Sequence, residues 1–292
     1  MGQPPAFSAA ARRAVWPQYL LPRRALTQWA GWVAGARGGA VTTALIRAFV
    51  RRYGVDMGEA AEPDPARYSS FNEFFTRALK TGARPLAAAD WLCPVDGAIS
   101  AFGSLDEGRL LQAKGHSYSA TALLGGDAEL AAGFAGGSFA TLYLSPRDYH
   151  RIHMPAAGRL RRMVHVPGDL FSVNPTTARG VPGLFARNER VICVFEAGAG
   201  APGPFVMVLV GATIVGSMAT VWHGVVNPPR PGVVRHWSYE QDAPHLARGA
   251  EMGRFLLGST VVLLLPPGPL AFDPAWAPGA AIRVGQAMAR RA

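Results

Sequence analysis

The sequence predicts an α+β protein in which N-terminal amphipathic helices are followed by a mainly antiparallel β domain. The hydrophobic fraction is 49%, and the chain contains 34 Gly and 24 Pro residues, which is typical of a folded, turn-rich protein. Apolar residues recur at helical spacing mainly before residue 54, whereas later apolar runs are short and bounded by Gly, Pro or Asp. We therefore expect a basic helical region with a linker over residues 1–66 and a β domain over residues 67–292.

The first 66 residues divide into an arm, two helices and a linker. Residues 1–21 show no firm periodicity and are predicted to form a loose arm. Pro22 can occupy the first position of a helix that ends at Gly35, and Gly54 ends a second helix. Their apolar faces are predicted to contain Leu26, Trp29, Ala30 and Val33 in the first helix, and Ile46, Phe49, Val50 and Tyr53 in the second. Acidic residues and prolines in residues 55–66 favour an exposed linker.

The remaining chain begins with one helix and then turns to β structure. Ser70 and Glu73 have the spacing of a capping box, which predicts a helix starting after Ser70. Short apolar runs then predict the strands of a compact sheet structure, among them Phe139–Leu144, Arg159–Val166, Val191–Phe195 and Thr260–Leu265.

The chain has a formal net charge of +10, and most of the basic excess lies near the N-terminus. The first 55 residues contain eight arginines and no acidic residue, and aromatic and leucine side chains are interleaved with the arginines. This combination favours an anionic lipid surface over a nucleic acid as the partner. On amphipathicity alone, helices that merely cover the core fit equally well. We therefore expect a peripheral protein on the cytoplasmic side of the cell membrane, without a nucleic-acid partner.

Two further features bear on the compartment and on membrane insertion. Cys93 and Cys193 both lie in apolar runs and have no metal-ligand spacing, which favours buried free thiols in a reducing compartment. The charge-free stretch Phe205–Trp222 is long enough to span a bilayer, but glycines and a serine interrupt it. Its Val, Ile and Thr residues predict two buried strands around a turn. The N-terminus also lacks the apolar segment of a cleaved signal peptide.

The sequence Gly258-Ser259-Thr260, which leads into an apolar strand, allows a serine to attack its own backbone. Gly258 has no Cβ, so its carbonyl is open and its peptide can adopt strained angles. Attack by the Ser259 Oγ would convert the amide to an ester, and elimination would then break the chain and leave dehydroalanine. Hydrolysis with loss of ammonia would give a pyruvoyl group. A turn entering a strand is the alternative interpretation of the same tripeptide.

Three other residues have the chemistry to assist such a reaction. Asp96 in Pro94–Gly97 places a carboxylate between apolar neighbours, although Asp-Gly alone is more typical of a hairpin turn. His150 and His153 lie three residues apart, flanked by Tyr, Arg and Pro, and this pairing favours a functional over a structural role. Self-cleavage needs a base for the serine proton and an acid that orients the base.

These stretches together resemble the phosphatidylserine decarboxylases, a family of pyruvoyl-dependent bacterial proenzymes that associate with membranes. The strongest similarities are Leu-Gly-Ser-Thr at 257–260, Pro-Val-Asp-Gly at 94–97 and Tyr-His-Arg-x-His-x-Pro at 149–155. Further similar segments are Phe71–Arg77, Gly168–Asn174, Phe185–Arg190 and Val210–Gly216. Leu256 departs from the pattern, because a lysine is frequent there in the family.

The resemblance implies residue roles as well as an activity. Asp96, His153 and Ser259 would form the self-cleavage triad, and His150 would donate a proton or contact substrate in the mature site. Cleavage between Gly258 and Ser259 would give a β chain of residues 1–258 and an α chain of residues 259–292.

The implied activity is the decarboxylation of phosphatidylserine to phosphatidylethanolamine. The substrate amine would form a Schiff base with the Ser259-derived pyruvoyl group, and no metal would be required. The family also suggests a homodimer. Arg151 and Arg187 are candidates for contacting the lipid phosphate.

Two other functions also fit parts of the sequence. Asp96, His150 and His153 could instead bind a metal such as zinc in a hydrolase. That alternative leaves Gly258-Ser259 and the other matched segments unexplained. A non-catalytic module with a β core that binds membranes is the third possibility, and it predicts an uncleaved chain.

Overall fold

The computed structural model describes residues 9–113, 116–213, 217–228, 230, 232–257 and 259–292, with the backbone alone for residues 9–12, 14, 113 and 259. Helices are concentrated near the N-terminus, and antiparallel sheets follow, which confirms the predicted fold class. A 3-10 turn lies at Pro65–Arg67. The α-helices are α1 (Ala9–Leu20), α2 (Arg23–Gly35), α3 (Ala40–Tyr53), α4 (Phe71–Phe75), α5 (Ala120–Leu123), α6 (Ala128–Ala132), α7 (Pro175–Ala178) and α8 (Leu184–Arg187).

The strands of the described residues form one large sheet and three smaller ones. The large sheet contains β2 (Gly97–Ser104), β5 (Ser138–Leu144), β7 (Gly158–Val166), β8 (Arg190–Ala197), β9 (Phe205–Val210), β12 (Arg235–Ser238), β13 (His245–Leu246), β15 (Ser259–Leu265) and β17 (Ala281–Ile282). One smaller sheet contains β1 (Trp91–Leu92), β16 (Leu270–Phe272) and β18 (Ala287–Arg291). A second contains β6 (Arg151–His153), β10 (Met218–Thr220), β11 (Gly224–Val225) and β14 (Glu251–Phe255). The third pairs β3 (Arg109–Ala113) with β4 (His116–Ser119).

The central strands β5, β8, β9 and β15 of the large sheet are buried on both faces, and this explains why they are largely apolar runs. In β9, alternate residues from Phe205 pack with the smaller sheets, and alternate residues from Val206 pack with the short helices. Strand β15 divides in the same way, because Leu263 lies on the first face and Val262 on the second. A strand with one wet face would instead alternate apolar and polar residues. The four runs predicted as strands are therefore confirmed.

Helix α1 shows that the prediction of a loose arm for residues 1–21 was wrong for the part that is described. Val15 is 2% exposed within the core cluster of the short helices. The Gln18 side chain donates to Thr177 Oγ1 at 3.1 Å and accepts from the Ser172 N–H at 3.0 Å. Alanines in the first turns favour a helix, but contacts with distant residues fix it in place. Residues 1–8 lie outside the described part of the chain.

Helices α2 and α3 confirm the predicted helical segments and correct one predicted face. Gly54 ends α3 with a φ of 65°, as a glycine at a helix C-terminus does. Ile46 is fully buried against the phenyl rings of α4. In α2, however, Trp29 is 64% exposed and Thr27 and Ala34 are buried instead. The buried stripe is therefore rotated away from the tryptophan.

The charge-free stretch Phe205–Trp222 contains β9 and β10, with residues 214–216 outside the described part, so the two predicted strands are confirmed. Among the helices in the described residues, none is both long and apolar enough to cross a membrane. Cys93 and Cys193 are buried free thiols, as predicted.

Leu263→Ala should lower the free energy of unfolding by about 2–5 kcal/mol, because it leaves a cavity at a fully buried position in the large sheet. Leu20→Ala removes the same atoms from a side chain that is 71% exposed, so it should change the free energy of unfolding by less than about 0.5 kcal/mol. Urea denaturation in a Ser259→Ala background measures both on an intact chain. Equal losses would contradict the assignment of β15 to the core.

Candidate active site

Ser259 is the first residue of β15 and lies opposite Leu144 of β5. The backbone of Ser259 is described but its side chain is not, and Gly258 lies outside the described residues. On the other edge of β5, Ala98 of β2 pairs with Tyr143. Asp96 therefore precedes the strand that lies two positions across the sheet from Ser259, about 10 Å away at the backbone.

Gly97 allows the close approach of β2 to β5 beside Asp96. A Cβ at this position would collide with the Tyr143 carbonyl oxygen and lie 3.4 Å from the Leu144 Cα. Any larger residue would therefore push the two strands apart. The glycine of the Asp-Gly pair is required by strand packing, and a hairpin turn is not formed there because residue 97 already belongs to β2.

The Asp96 carboxylate is 7% exposed and is held by two groups. Arg84 Nη2 donates to Asp96 Oδ2 at 2.6 Å, and the Val284 N–H donates to Oδ1 at 2.8 Å. Arg84 Nη2 also donates to Glu59 at 2.7 Å, and Arg283 donates to the other Glu59 oxygen. Asp96 therefore links residues before the Gly258-Ser259 bond to residues after it.

The ring of His153 is fixed at both nitrogens. Its Nδ1 lies 2.8 Å from the Gly249 carbonyl oxygen, which can only accept, so Nδ1 carries the proton. In the neutral ring, Nε2 then accepts from the hydroxyl of Tyr149 at 3.1 Å. Burial lowers the pKa of His153, although the Gly249 hydrogen bond and the charges of Glu251 and Asp96 oppose that shift. His153 is therefore a neutral base with its lone pair on Nε2.

The ring of His150 is completely buried, and its contacts assign its proton in the same way. Its Nδ1 lies 2.8 Å from the Asp148 carbonyl oxygen, which assigns the proton to Nδ1. Its Nε2 is buried and has no hydrogen-bond partner among the described residues. The ring packs on Phe75 with 4.0 Å between centroids. Burial lowers the pKa of His150 to about 3, so its Nε2 is an unprotonated acceptor near neutral pH.

Strand β6 brings the two histidines alongside β14, the strand that leads to Gly258. The Phe255 N–H donates to the His150 carbonyl at 3.0 Å, whereas His153 lies opposite Glu251. Glu251 and Phe255 are about 13 Å apart along an extended strand. His150 thus lies beside the end of β14 and His153 beside its start. Asp96 approaches His153 from the other side, because the His153 N–H donates to the Pro94 carbonyl at 2.8 Å.

The described residues provide no ready-made metal site. No group of at least three His, Cys, Asp or Glu side chains in them could hold a metal ion. Two of the three candidate ligands have partners on the atoms that a metal would need, since Tyr149 contacts His153 Nε2 and Asp96 binds Arg84. The hydrolase alternative therefore has no donor set of its own.

Both arginines suggested as phosphate ligands are ion-paired within the protein. Arg151 donates to Glu251 at 2.8 Å and to the Thr76 carbonyl at 2.9 Å. Arg187 pairs with Asp169 at 3.1 Å.

Sequence reasoning missed two residues that shape this site. Tyr149 directly precedes His150, and its proximity to the histidine pair was the available signal for its contact with His153. Arg84 gave no such signal, because its partners Glu59 and Asp96 lie 25 and 12 residues away along the chain.

Comparison with known proteins assigns the chain to the lyases, in the class of decarboxylases. A family model described as Phosphatidylserine decarboxylase matches residues 71–290, and a second model, described as PSD, matches residues 13–54. The chain therefore belongs to the phosphatidylserine decarboxylase family, whose members are carboxy-lyases. The predicted family and enzyme class are confirmed.

Similarity to individual relatives extends over nearly the whole chain. The chain is 71% identical to the phosphatidylserine decarboxylase proenzyme of Variovorax paradoxus (strain S110), over 96% of this chain and 98% of the relative. Proenzymes of the same name from Verminephrobacter eiseniae (strain EF01-2) and Albidiferax ferrireducens (strain ATCC BAA-621 / DSM 15236 / T118) are each 70% identical, with the same coverage.

Acidification should destabilise the protein partly through His150. Its pKa lies below the ordinary value of 6.5, so the unfolded state binds the proton first, and stability is lost as the pH falls below about 6.5. Between about pH 7 and about pH 5, a His150→Asn variant should lose about 2 kcal/mol less stability than the parent. Urea denaturation at the two pH values measures the difference. Identical losses would contradict a neutral, buried His150.

Proposed function

We propose that this chain is a proenzyme that cleaves itself between Gly258 and Ser259 and then decarboxylates phosphatidylserine to phosphatidylethanolamine. The observation that carries the proposal is the 71% identity to a phosphatidylserine decarboxylase proenzyme over 96% of the chain. Ser259, which follows Gly258 in the sequence and is the first residue of a central strand, supports the first step. The proposed products are a β chain of residues 1–258 and an α chain of residues 259–292.

In the first step, the Ser259 Oγ attacks the Gly258 carbonyl carbon, and the bond from that carbon to the Ser259 nitrogen breaks. The base takes the Oγ proton and returns it to the departing amine. Loss of the Ser259 Cα proton and of the Gly258 carboxylate then gives dehydroalanine, and water releases ammonia to leave the pyruvoyl group. His153 is the proposed base, because its Nε2 lone pair is available once Tyr149 moves aside.

Asp96 is the proposed acid of this step. It acts on His153 through its charge, which raises the proton affinity of the ring, while the Gly249 carbonyl orients the ring. The carboxylate is held by Arg84 and by the Val284 N–H, and the contact with Val284 ties the proposed α chain to the β chain.

The residues around the end of β14 fit a pyruvoyl group at position 259. His150 Nε2 is a buried acceptor without a partner among the described residues, and such an atom normally faces a ligand or water. When formed, the pyruvoyl carbonyl supplies an electron sink for the pair that remains when carbon dioxide leaves. His150 Nε2 then has two tasks, which are to accept a proton from the substrate amine and to return one to carbon.

The N-terminal helices are the proposed membrane-contacting surface. Trp16 is 62% exposed, Leu20 71%, Trp29 64%, Trp32 73% and Val41 75%. Exposed aromatic and aliphatic side chains on arginine-rich helices suit the interface of an anionic membrane. A cationic surface would hold the enzyme where its anionic substrate resides. The cytoplasmic side of the membrane and a homodimer are further predictions of the same proposal.

The two alternatives receive less support. A metal-dependent hydrolase would need Asp96 to leave Arg84 and His153 Nε2 to leave Tyr149. A non-catalytic membrane module does not account for membership of a carboxy-lyase family along residues 71–290.

Substitutions should separate the two proposed histidine roles. Ser259→Ala lacks the nucleophile and should remain full-length. His153→Ala lacks the base, so its cleavage should slow by about 100-fold or more and the protein should be recovered full-length. Asp96→Asn should also cleave more slowly. His150→Ala should cleave but fail to convert phosphatidylserine in detergent micelles. Denaturing gels report cleavage, released carbon dioxide reports activity, and circular dichroism verifies folding. Normal cleavage of His153→Ala, or an uncut but folded His150→Ala protein, would overturn this assignment.

Membrane binding should weaken when exposed tryptophans are removed from α1 and α2. A Trp16→Ala/Trp29→Ala double variant should bind vesicles that contain phosphatidylserine at least about tenfold more weakly, because two aromatic side chains no longer enter the interface. Val221→Ala/Val233→Ala is the matched control, since these side chains are exposed outside the N-terminal helices. Vesicle sedimentation measures both variants. Equal binding by all three proteins would place the membrane contact elsewhere.

A further inference from the structure

We propose that a cavity between α2 and the end of β14 binds the phosphodiester of the lipid headgroup, with Arg230 as its hydrogen-bond donor. This inference rests on the proposed function, since it concerns the substrate of the same site. The cavity has a volume of about 420 Å³. Leu256 and Leu257 line it, so it adjoins the chain immediately before Gly258-Ser259. Trp32 of α2 lines the opposite side.

Arg230 is the charged residue of this cavity. Its Nε donates to both carboxylate oxygens of Glu189, at 3.1 and 2.9 Å. Its Nη2 is buried and has no hydrogen-bond partner among the described residues. A buried guanidinium donor without an acceptor is unfavourable, so an anionic ligand oxygen in the cavity would be stabilised there.

A buried network fixes the direction of this donor. Glu189 is 2% exposed and also contacts His165, whose Nε2 lies 2.8 Å from Oε1. Glu189 therefore holds the guanidinium through Nε, and Nη2 keeps no partner among the described residues. Because the carboxylate also balances the charge of Arg230, the guanidinium acts mainly as a directional donor and less as an isolated cation.

The cavity also contains an unpaired acceptor, which suits a headgroup that carries a donor beside its phosphodiester. Asn72 lines the same cavity, and its Oδ1 is buried without a partner among the described residues. A phosphodiester has no O–H group and would satisfy Arg230 alone. A headgroup that also carries an ammonium satisfies Asn72 as well, until its amine reacts.

The other candidate arginines are less suited to this role. Arg151 and Arg187 both have carboxylate partners within 3.1 Å, and neither lines the cavity. Arg230 also has a carboxylate partner, but its Glu189 contacts use Nε, and the buried Nη2 stays available.

The test compares Arg230→Gln and Arg230→Lys with Arg161→Gln. The lysine variant retains a cation beside Glu189, so it protects folding while it removes the second donor. Arg161→Gln is the matched control, because Arg161 lies in an exposed pair with Glu196. Self-cleavage of each protein verifies folding. The readouts are KM and kcat for a short-chain phosphatidylserine, and dissociation constants for glycerophosphoethanolamine, ethanolamine and inorganic phosphate by calorimetry.

Both Arg230 variants should raise KM and the dissociation constant of glycerophosphoethanolamine by about tenfold or more, with kcat changed less than about twofold. Ethanolamine binding should stay the same, because ethanolamine lacks the phosphate. Arg161→Gln should match the parent.

Unchanged KM and glycerophosphoethanolamine binding in both Arg230 variants would overturn the inference. Inorganic phosphate that binds as tightly as glycerophosphoethanolamine would also overturn it, in favour of a free-phosphate site. A parent protein that binds the probe but releases no carbon dioxide would instead count against the proposed decarboxylation.

Discussion

Strand β15 is hydrogen-bonded along both edges, to β5 and to β9, and the rest of the proposed chemistry depends on this. Its residues 260–265 are buried, so the strand cannot leave the sheet without exposing its apolar side chains. The chain reaches β15 from β14, which belongs to a different sheet. The Gly258-Ser259 bond therefore joins two separately anchored strands. A cut at this bond would leave both ends in place, and the Arg283–Glu59 ion pair and the hydrogen bond from the Val284 N–H to Asp96 would hold the later residues as well.

The same arrangement places the proposed membrane-contacting surface beside the proposed site. Helix α2 exposes Trp29 to solvent, while Gln28, Gly31 and Trp32 line the cavity that adjoins Leu256 and Leu257. A lipid held at this helix would need to move its headgroup only across the width of the cavity. The burial of His150 excludes water from the acceptor proposed to handle the substrate proton, which strengthens its hydrogen bonding. Membrane contact, headgroup binding and proton transfer are thus proposed for neighbouring parts of the fold.

Local patterns in the sequence predicted the strands and the α3 helix well, because burial on two faces produces unmistakable apolar runs. They failed for α1, whose order depends on contacts of Val15 and Gln18 with distant residues. The buried face of α2 was also predicted wrongly, since a tryptophan at a membrane interface is as apolar as one in a protein core. The motifs drew attention to Asp96, His150, His153 and Ser259. Long-range partners such as Arg84 with Asp96, or Arg230 with Glu189, leave no pattern in a single sequence.

The chain is proposed to make its own carbonyl group by cutting itself at Gly258-Ser259, and the intact mass of the purified wild-type protein is the decisive measurement. Two fragments are expected, with residues 1–258 ending in a free carboxylate. The fragment of residues 259–292 should have the mass of a pyruvoyl group in place of its first serine. A single uncut chain in a preparation that actively decarboxylates phosphatidylserine would contradict the claim, because the activity would then need another source of its carbonyl group.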